Sequence, residues 1–184
     1  MEYKFRDLKS NEIDVRVSQL GKDWLTLLLY KDARVDMNIL DETVKPENWQ
    51  RDHKELKGNI YCGISIWDEE KKQWITKWDA GKESNTEAEK GEASDSFKRA
   101  GTNWGIGREL YTSPMIFIPI EDVDGLINFE LKEKNGKPTV KTKFYVEAIQ
   151  IENKEITALS IKNNKNKRVF LWKEEEGKKV KKDE

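Results

Sequence analysis

Two neighbouring segments of this chain alternate apolar and polar residues so regularly that they constrain the fold around them. In NIYCGISIW (59–67), the apolar side chains of one strand face are Ile60, Cys62, Ile64 and Ile66. A polar DEEKK turn follows, and QWITKWD (73–79) then places on one face Trp74, Thr76 and Trp78. An alternation of period two around a short polar turn is typical of an antiparallel hairpin. With residues 49–56 as a further strand, the pattern predicts a three-stranded antiparallel meander.

A long helix is predicted directly after this sheet, over about residues 87–104. Its apolar residues recur at helical spacing and form one stripe, which consists of Ala93, Phe97, Ala100 and Trp104. Lys98 and Arg99 flank that stripe, about 100° apart around the helix axis. Gly105 and Gly107 follow and supply a sharp end to the helix. The sequence thus predicts two adjacent cations on a packed helix.

Segments on either side of this region add further elements. Residues 13–17 alternate and predict a short edge strand or an extended entry segment, whereas the continuous apolar run at 24–30 predicts a buried strand. Asp32 is a suitable N-cap for a helix over about 33–44. The predicted apolar face of that helix is Ala33, Met37, Leu40 and Val44. Three strand segments separated by asparagine-containing turns are predicted at 142–151, 155–161 and 167–172.

These elements predict an α+β protein with a β-β-β-α core, in which the antiparallel meander packs on the long helix. An N-terminal strand–helix pair and C-terminal β-strands are expected to extend that core. We expect a single domain over residues 1–172, with its core at about 12–112 and its C-terminal β extension at about 113–172. Residues 173–184 carry mixed charge and few apolar groups, so they are expected to form a flexible tail.

The composition leaves the class of partner open and places some limits on the compartment. Lys and Arg total 34 and Asp and Glu total 35, so nucleic-acid binding would need cations segregated on one surface. The single cysteine, Cys62, cannot form a disulfide within the chain and fits a reducing compartment. No apolar run approaches the ~20 residues of a membrane span, and the first residues do not resemble a signal peptide. We therefore expect a soluble, cytoplasmic protein without a membrane partner.

Some kinds of chemistry can be weighed from residue types alone. The chain has no G-x-x-x-x-G-K-[ST] motif, which argues against an ATP-driven recombinase or helicase. The lone His53 has no cysteine at zinc spacing, so no metal role is predicted for it. Asp79, Glu83 and Glu87 could hold Mg²⁺ for a metal-dependent nuclease. Because the chain carries 35 acidic residues, such a cluster also arises easily by chance.

The adjacent cations on the predicted long helix are the sharper signal. A guanidinium and an ammonium group on a rigid element suit contact with phosphate, although a solvated helix face would have the same residues. Trp67, Trp74 and Trp78 suggest another use of the chain, in which the sheet stacks the bases of a single strand. A third hypothesis is that the chain is a purely structural interaction protein. The residues alone do not decide among these alternatives.

The segment GEASDSFKRAGTNWGIGRELY (91–111) resembles the signature helix of the Rad52 superfamily of single-strand DNA annealing proteins. The pattern is an aromatic or aliphatic residue followed by Lys-Arg-Ala, then an aromatic-Gly turn and a Gly-x-x-Leu-Tyr ending. Upstream, DARVDMNILDETVKPENW (32–49) is similar to the first helix of that family, and GNIYCGISI (58–66) to its central strand. The resemblance covers roughly residues 12–112 and looks closest to bacteriophage-encoded members.

The resemblance implies a set of DNA-binding positions. The family holds single-stranded DNA in a positively charged groove, and the positions that carry over to this groove are Arg16, Lys98 and Arg99. Thr102 stands where the family has a further basic residue. A second, outer DNA site would use Lys57 and Lys82, with Asn59 where the family has a lysine.

The resemblance also implies a function and its partners. It points to ATP-independent binding of single-stranded DNA and annealing of complementary strands in homologous recombination and DNA repair, as a phage recombinase. The implied partners are the complementary strand, other copies of the chain in a ring or helical filament, and a single-strand binding protein. No catalytic residue, metal or cofactor is implied, and the location would be the host bacterial cytoplasm. The alternatives are a single-stranded DNA-binding protein without annealing activity and a metal-dependent nuclease.

Overall fold

The computed structural model describes residues 3–81 and 88–174. It confirms a mixed α+β protein in which the strands of each sheet pair antiparallel. The contacts divide the chain into two compact units. Met1–Asp7 and Lys31–Arg108 form one, called the helix unit below, and Leu8–Tyr30 and Glu109–Glu184 form the other, called the sheet unit. Within the described ranges, no helix is both long and apolar enough to cross a membrane.

The helices and strands follow one another along the chain in this order: β1 (Asp14–Leu20), β2 (Trp24–Tyr30), α1 (Ala33–Val44), β3 (Trp49–Leu56), β4 (Asn59–Asp68), β5 (Gln73–Ala80), α2 (Ala88–Trp104), β6 (Ile116–Pro119), β7 (Leu131–Lys134), β8 (Lys137–Val140), β9 (Phe144–Glu152), β10 (Glu155–Asn163) and β11 (Arg168–Lys173). Short 3₁₀ helices lie at Ser10–Glu12, Pro46–Asn48 and Arg108–Thr112.

The sheet of the helix unit has the strand order β3-β4-β5. The predicted hairpin is confirmed, with Trp67 opposite Trp74 and Ile64 opposite Lys77. Cys62, Ile64 and Ile66 of the central strand are fully buried, as their alternation predicts. Helix α2 contacts β4 and β5, so the apolar row of β4 has a packed partner.

Helix α1 begins as predicted, because the side chain of Asp32 accepts a hydrogen bond of 2.8 Å from the backbone N–H of Arg34. Its buried face differs from the prediction in part. The buried residues are Asp36, Ile39, Leu40 and Val44, while Ala33 and Met37 are only half-buried. The apolar periodicity was a poor guide here because a carboxylate occupies the centre of the buried face.

That carboxylate belongs to a buried ion pair within the helix unit. The Nζ atom of Lys31 lies 2.5 and 2.6 Å from the two carboxylate oxygens of Asp36. The exposed fraction is 5% for the Lys31 side chain and zero for that of Asp36. Burying two charges is costly unless they are paired, so removing the side chain of either partner would leave the other as an unpaired buried group.

Two glycines of the 91–111 segment make room for this ion pair. A Cβ atom at Gly101 would lie 2.4 Å from the Oδ1 atom of Asp36, and one at Gly107 would lie 2.3 Å from the Cε atom of Lys31. Gly107 also has a φ of +71°, which other residues rarely adopt. The small residues after the Lys-Arg pair are therefore required by packing inside the helix unit.

The sheet unit contains a six-stranded sheet with the order β11-β10-β9-β1-β2-β6. Strand β1 lies inside this sheet, so the prediction of an edge strand is wrong. The C-terminal strands supply its second neighbour, which local alternation could not reveal. Strand β2 buries alternate residues, namely Leu25, Leu27 and Leu29, while Leu28 and Tyr30 are exposed. The apolar run at 24–30 was predicted to be a buried strand, but only one face of β2 is buried.

The C-terminal half of the sheet unit follows the sequence prediction closely, except at one hairpin. Strands β9, β10 and β11 correspond to the three predicted segments. The sequence EKNGKP (133–138) forms the turn of the β7–β8 hairpin, for which no strands were predicted. Asn135 and Gly136 both have positive φ values, as a two-residue hairpin turn demands. Residues 82–87 and 175–184, including most of the predicted tail, lie outside the described residues.

The close approach of Gly101 to Asp36 makes a prediction about stability. Replacing a mid-helix glycine with alanine normally stabilises a helix by about 0.5–1 kcal/mol. Gly101→Ala should instead lower the free energy of unfolding by about 1–3 kcal/mol, because the added methyl collides with a buried carboxylate. Ser94→Ala on the same helix is the control and should be nearly neutral. A Gly101→Ala variant as stable as the wild type in urea unfolding would contradict the packing described here.

Candidate nucleic-acid interface

Helix α2 is fixed to the sheet of the helix unit at several points along its length. Near its start, the buried carboxylate of Glu92 accepts a hydrogen bond of 2.7 Å from the backbone N–H of Ile60. In its middle, Phe97 is buried, and its ring centroid lies 6.2 Å from that of Trp49. At its end, the indole N–H of Trp104 donates to the carbonyl of Ile64 at 2.9 Å. The helix therefore holds its outward side chains in defined positions.

Lys98 is the less constrained of the two adjacent cations on α2. Its side chain is half-buried, and no described carboxylate lies within ion-pair distance of its ammonium group. Its charge nevertheless acts on Asp36, where it opposes the rise in pKa that burial causes. An ammonium group without a direct partner on a packed helix is well placed to take an external anion.

Arg99 has an ion-pair partner that contacts only one of its guanidinium nitrogens. Its Nε atom lies 3.3 Å from the Oδ1 atom of Asp79, and its side chain is 40% exposed. Asp79 also accepts a hydrogen bond of 3.3 Å from the Asn103 side chain. Because both charged groups are partly exposed, this pair is weak enough to exchange for a phosphate. A fork of N–H groups that is oriented by a carboxylate suits bidentate phosphate contact.

Of the three acidic residues considered for a nuclease, the structure describes only Asp79. It lies against Arg99 and Asn103, and Glu83 and Glu87 lie outside the described residues. In the part of the chain that the structure describes, no group of three or more His, Cys, Asp or Glu side chains could hold a metal ion. His53 is exposed, and its ring nitrogen lies 3.4 Å from the carbonyl oxygen of Ala93.

The remaining predicted DNA-binding residues fall in several places. Arg16 lies in β1 of the sheet unit, where it is exposed and its guanidinium carbon lies 5.7 Å from the ring centroid of Tyr30. Lys57 is exposed in the β3–β4 turn with a φ of +54°. Lys82 lies outside the described residues. The structure thus brings Lys98 and Arg99 together on one helix, whereas Arg16 belongs to the other unit.

Two groups in the helix unit were missed by the sequence predictions. Arg34, at the start of α1, is a cation whose side chain is 86% exposed. Asp36 was missed because a charged residue at a helical position is ordinarily expected to face solvent. Its burial could have been predicted from the apolar residues Val35, Ile39 and Leu40, because position 36 lies on the same side of the helix as these residues.

The three tryptophans of the hairpin lie on the face of the sheet that does not carry Ile64 and Ile66. Trp67 and Trp74 are cross-strand partners whose ring centroids are 5.5 Å apart. Trp78 lies directly over Gly63, where a Cβ atom would come within 2.6 Å of its ring. The Nζ atom of Lys54 lies 4.5 Å from the Trp78 ring centroid. Trp74 and Trp78 remain 40% and 37% exposed, so they are accessible to a flat ligand.

A family model described as Rad52/22 family double-strand break repair protein matches residues 5–118, which is more than half of the chain. An α+β protein with adjacent cations fixed on a helix fits the broad class of DNA-binding repair proteins. The chain belongs to the Rad52/22 family. No curated protein and no solved structure gives a significant match.

Burial of Asp36 makes a prediction about pH. Burial raises the pKa of this carboxyl from 3.8 to about 6, although Lys31 and Lys98 oppose the shift. The folded protein therefore binds a proton more tightly than the unfolded chain, and stability should fall as pH rises from about 4 to about 6. The difference in unfolding free energy between wild type and Asp36→Asn should show this slope. If the unfolding free energies of wild type and Asp36→Asn change in parallel with pH over that range, the prediction is wrong.

The Arg99–Asp79 pair makes a prediction about affinity. Asp79→Asn removes a negative charge beside Arg99 and should tighten binding of single-stranded DNA at low salt by roughly two- to fivefold. Glu69→Gln is the matched control, since Glu69 pairs with Lys72 at the β4–β5 turn. Fluorescence anisotropy with a labelled oligonucleotide measures both variants. If Asp79→Asn weakens binding as much as Arg99→Ala does, the carboxylate is needed to position the arginine and the prediction is wrong.

Proposed function

We propose that this chain binds single-stranded DNA through Lys98 and Arg99 and anneals complementary strands without ATP. The observation that carries the proposal is the pair of adjacent cations on α2, a helix anchored through Phe97, Ala100 and Trp104. Membership of a double-strand break repair family supports DNA as the ligand. Contacts to phosphate position a strand without reading its sequence, which is what annealing of arbitrary complements requires.

The physical basis of annealing in this proposal is charge neutralisation. Two complementary strands repel each other through their phosphates, and cations that neutralise phosphate lower this repulsion and release counterions. Lys98 supplies a charge that has no ion-pair partner among the described residues, while Arg99 would exchange Asp79 for a phosphate. Because the protein contacts the phosphates, the hydrogen-bonding edges of the bases stay available for pairing. This chemistry needs no hydrolysis and no cofactor.

Assembly is part of the proposal. The formal net charge of the chain is −1, so one isolated copy attracts DNA weakly at long range. A ring or helical filament of copies would repeat Lys98 and Arg99 along a common groove, with Arg16 as an additional phosphate contact. We further propose a phage recombinase that acts in recombination and repair in a bacterial cytoplasm, with a single-strand binding protein as a partner. Lys57 and Lys82 are proposed for an outer DNA site.

The double variant Lys98→Ala/Arg99→Ala tests the proposal directly. It should lose most of the binding at moderate salt, and the slope of log K against log salt should fall by about 1.4, or ~0.7 for each phosphate contact. Annealing of complementary oligonucleotides without ATP should fall with it. Lys72→Ala/Arg168→Ala is the matched control, because both side chains are exposed cations paired with carboxylates elsewhere. Wild type and double variant that are equally inactive in annealing would refute the proposal.

A second candidate function is single-strand binding without annealing. The exposed Trp74 and Trp78, together with Lys54 over the Trp78 ring, favour it, because aromatic faces stack bases without regard to sequence. In that case tryptophan fluorescence should be quenched on binding, and complementary strands should be protected from pairing. A metal-dependent nuclease would instead cleave labelled single strands in the presence of Mg²⁺.

A further inference from the structure

The six-stranded sheet of the sheet unit has a cleft between two of its strands. Strands β1 and β9 pair at a single position, where Asp14 lies opposite Tyr145. Beside that pair lies a cleft with a volume of about 410 Å³. Val15, Val17 and Phe144 contribute apolar surface to it. A cleft lined by both apolar and polar side chains can hold and orient a ligand.

Two exposed tyrosines border this cleft. Tyr30 and Tyr145 are both cross-strand partners of Asp14, one on β2 and the other on β9. Direct partners share a sheet face, so both side chains lie on the same surface. Their exposed fractions are 37% and 48%. Aromatic rings that stay accessible on one sheet face offer stacking surfaces for nucleobases.

One cation lines the cleft, and a second lies close to one of the tyrosines that border it. Arg16 is two residues from Asp14 on β1, and its guanidinium lies near the Tyr30 ring. Lys143 lines the cleft on the β9 side, two residues before Tyr145. Positions 16 and 143 are each two residues from the Asp14–Tyr145 pair, one along β1 and the other just before β9, so a cation lies on each side of that pair. Asp14 is the acidic group that lines the cleft, and the balance favours an anion.

We propose that this cleft is a subsite for single-stranded nucleic acid, in which a base stacks on Tyr145 and the adjoining phosphate is held by Arg16 and Lys143. The combination of stacking surfaces with flanking cations selects this ligand over an uncharged one. The proposal rests on the proposed function and extends strand binding to the sheet unit. In this subsite Arg16 shares the phosphate with Lys143. The position of Arg16 on β1 did not by itself indicate a second cation.

Photocrosslinking of the full chain to an oligothymidylate that carries 5-iododeoxyuridine tests the subsite. The crosslinked peptides, identified by mass spectrometry, should contain Tyr30 or Tyr145. Tyr145→Ala should weaken binding roughly tenfold without changing the salt slope, because it removes stacking and no charge. Tyr145→Phe keeps the ring and should bind like the wild type. Arg16→Ala should lower the salt slope by about 0.7.

Tyr111→Ala is the control, since Tyr111 is a 71% exposed tyrosine of the sheet unit that does not line the cleft. If Tyr145→Ala binds as tightly as the wild type, or if the crosslinks avoid both cleft tyrosines, the subsite is refuted. The proposed function survives that result as long as Lys98→Ala/Arg99→Ala still loses binding. If the folded wild-type chain does not bind the oligonucleotide at low salt, the proposed function itself fails.

Discussion

The helix unit depends on the ion pair between Lys31 and Asp36, which is removed from solvent. Loss of one partner would leave an uncompensated charge in the interior, at a typical cost of about 3–5 kcal/mol. The pair joins Lys31, which precedes α1, to Asp36 within that helix. Gly101 on α2 packs so closely against Asp36 that a side chain at position 101 would collide with it. Any change in how α1 and α2 meet would disturb this arrangement, so it fixes the register of the two helices.

This constraint explains the sequence around the two adjacent cations. Small residues follow Lys98 and Arg99 because the interior of the helix unit has no room for side chains at positions 101 and 107. The apolar residues of α2 point toward the sheet, so the two cations flank its packed face. The same helix therefore carries the apolar residues that pack on the sheet and the two cations that flank them. Rigid placement of charge lowers the ordering cost of binding a flexible strand.

Much of the fold could be predicted from periodic patterns. The hairpin of β4 and β5, helix α1 and the three C-terminal strands all show alternation or helical spacing with clear turn residues. The predictions failed where a non-local partner decides the outcome. Strand β1 is internal because distant β9 pairs with it, and Asp36 is buried because Lys31 neutralises it. The Asn135-Gly136 turn had a local signal, since an Asn-Gly pair is a strong hairpin marker.

The candidate site was predictable to a different degree. Lys98 and Arg99 stood out because they flank a packed stripe, and the structure keeps them adjacent on α2. The pairing of Arg99 with Asp79 could not be anticipated, since it depends on the end of β5 reaching the middle of α2. Arg16 was assigned by resemblance, and the structure shows it on the sheet unit beside Tyr30. The part in binding that we propose for Arg16 rests on its neighbours in that unit.

The most direct test of the account is a structure of the chain bound to single-stranded DNA, determined by electron cryomicroscopy. The account predicts phosphate groups within hydrogen-bonding distance of the Lys98 ammonium and the Arg99 guanidinium, with Asp79 released from the arginine. The strand should leave base edges exposed for pairing. A structure in which the strand follows another surface and α2 has no phosphate contact would contradict the central claim.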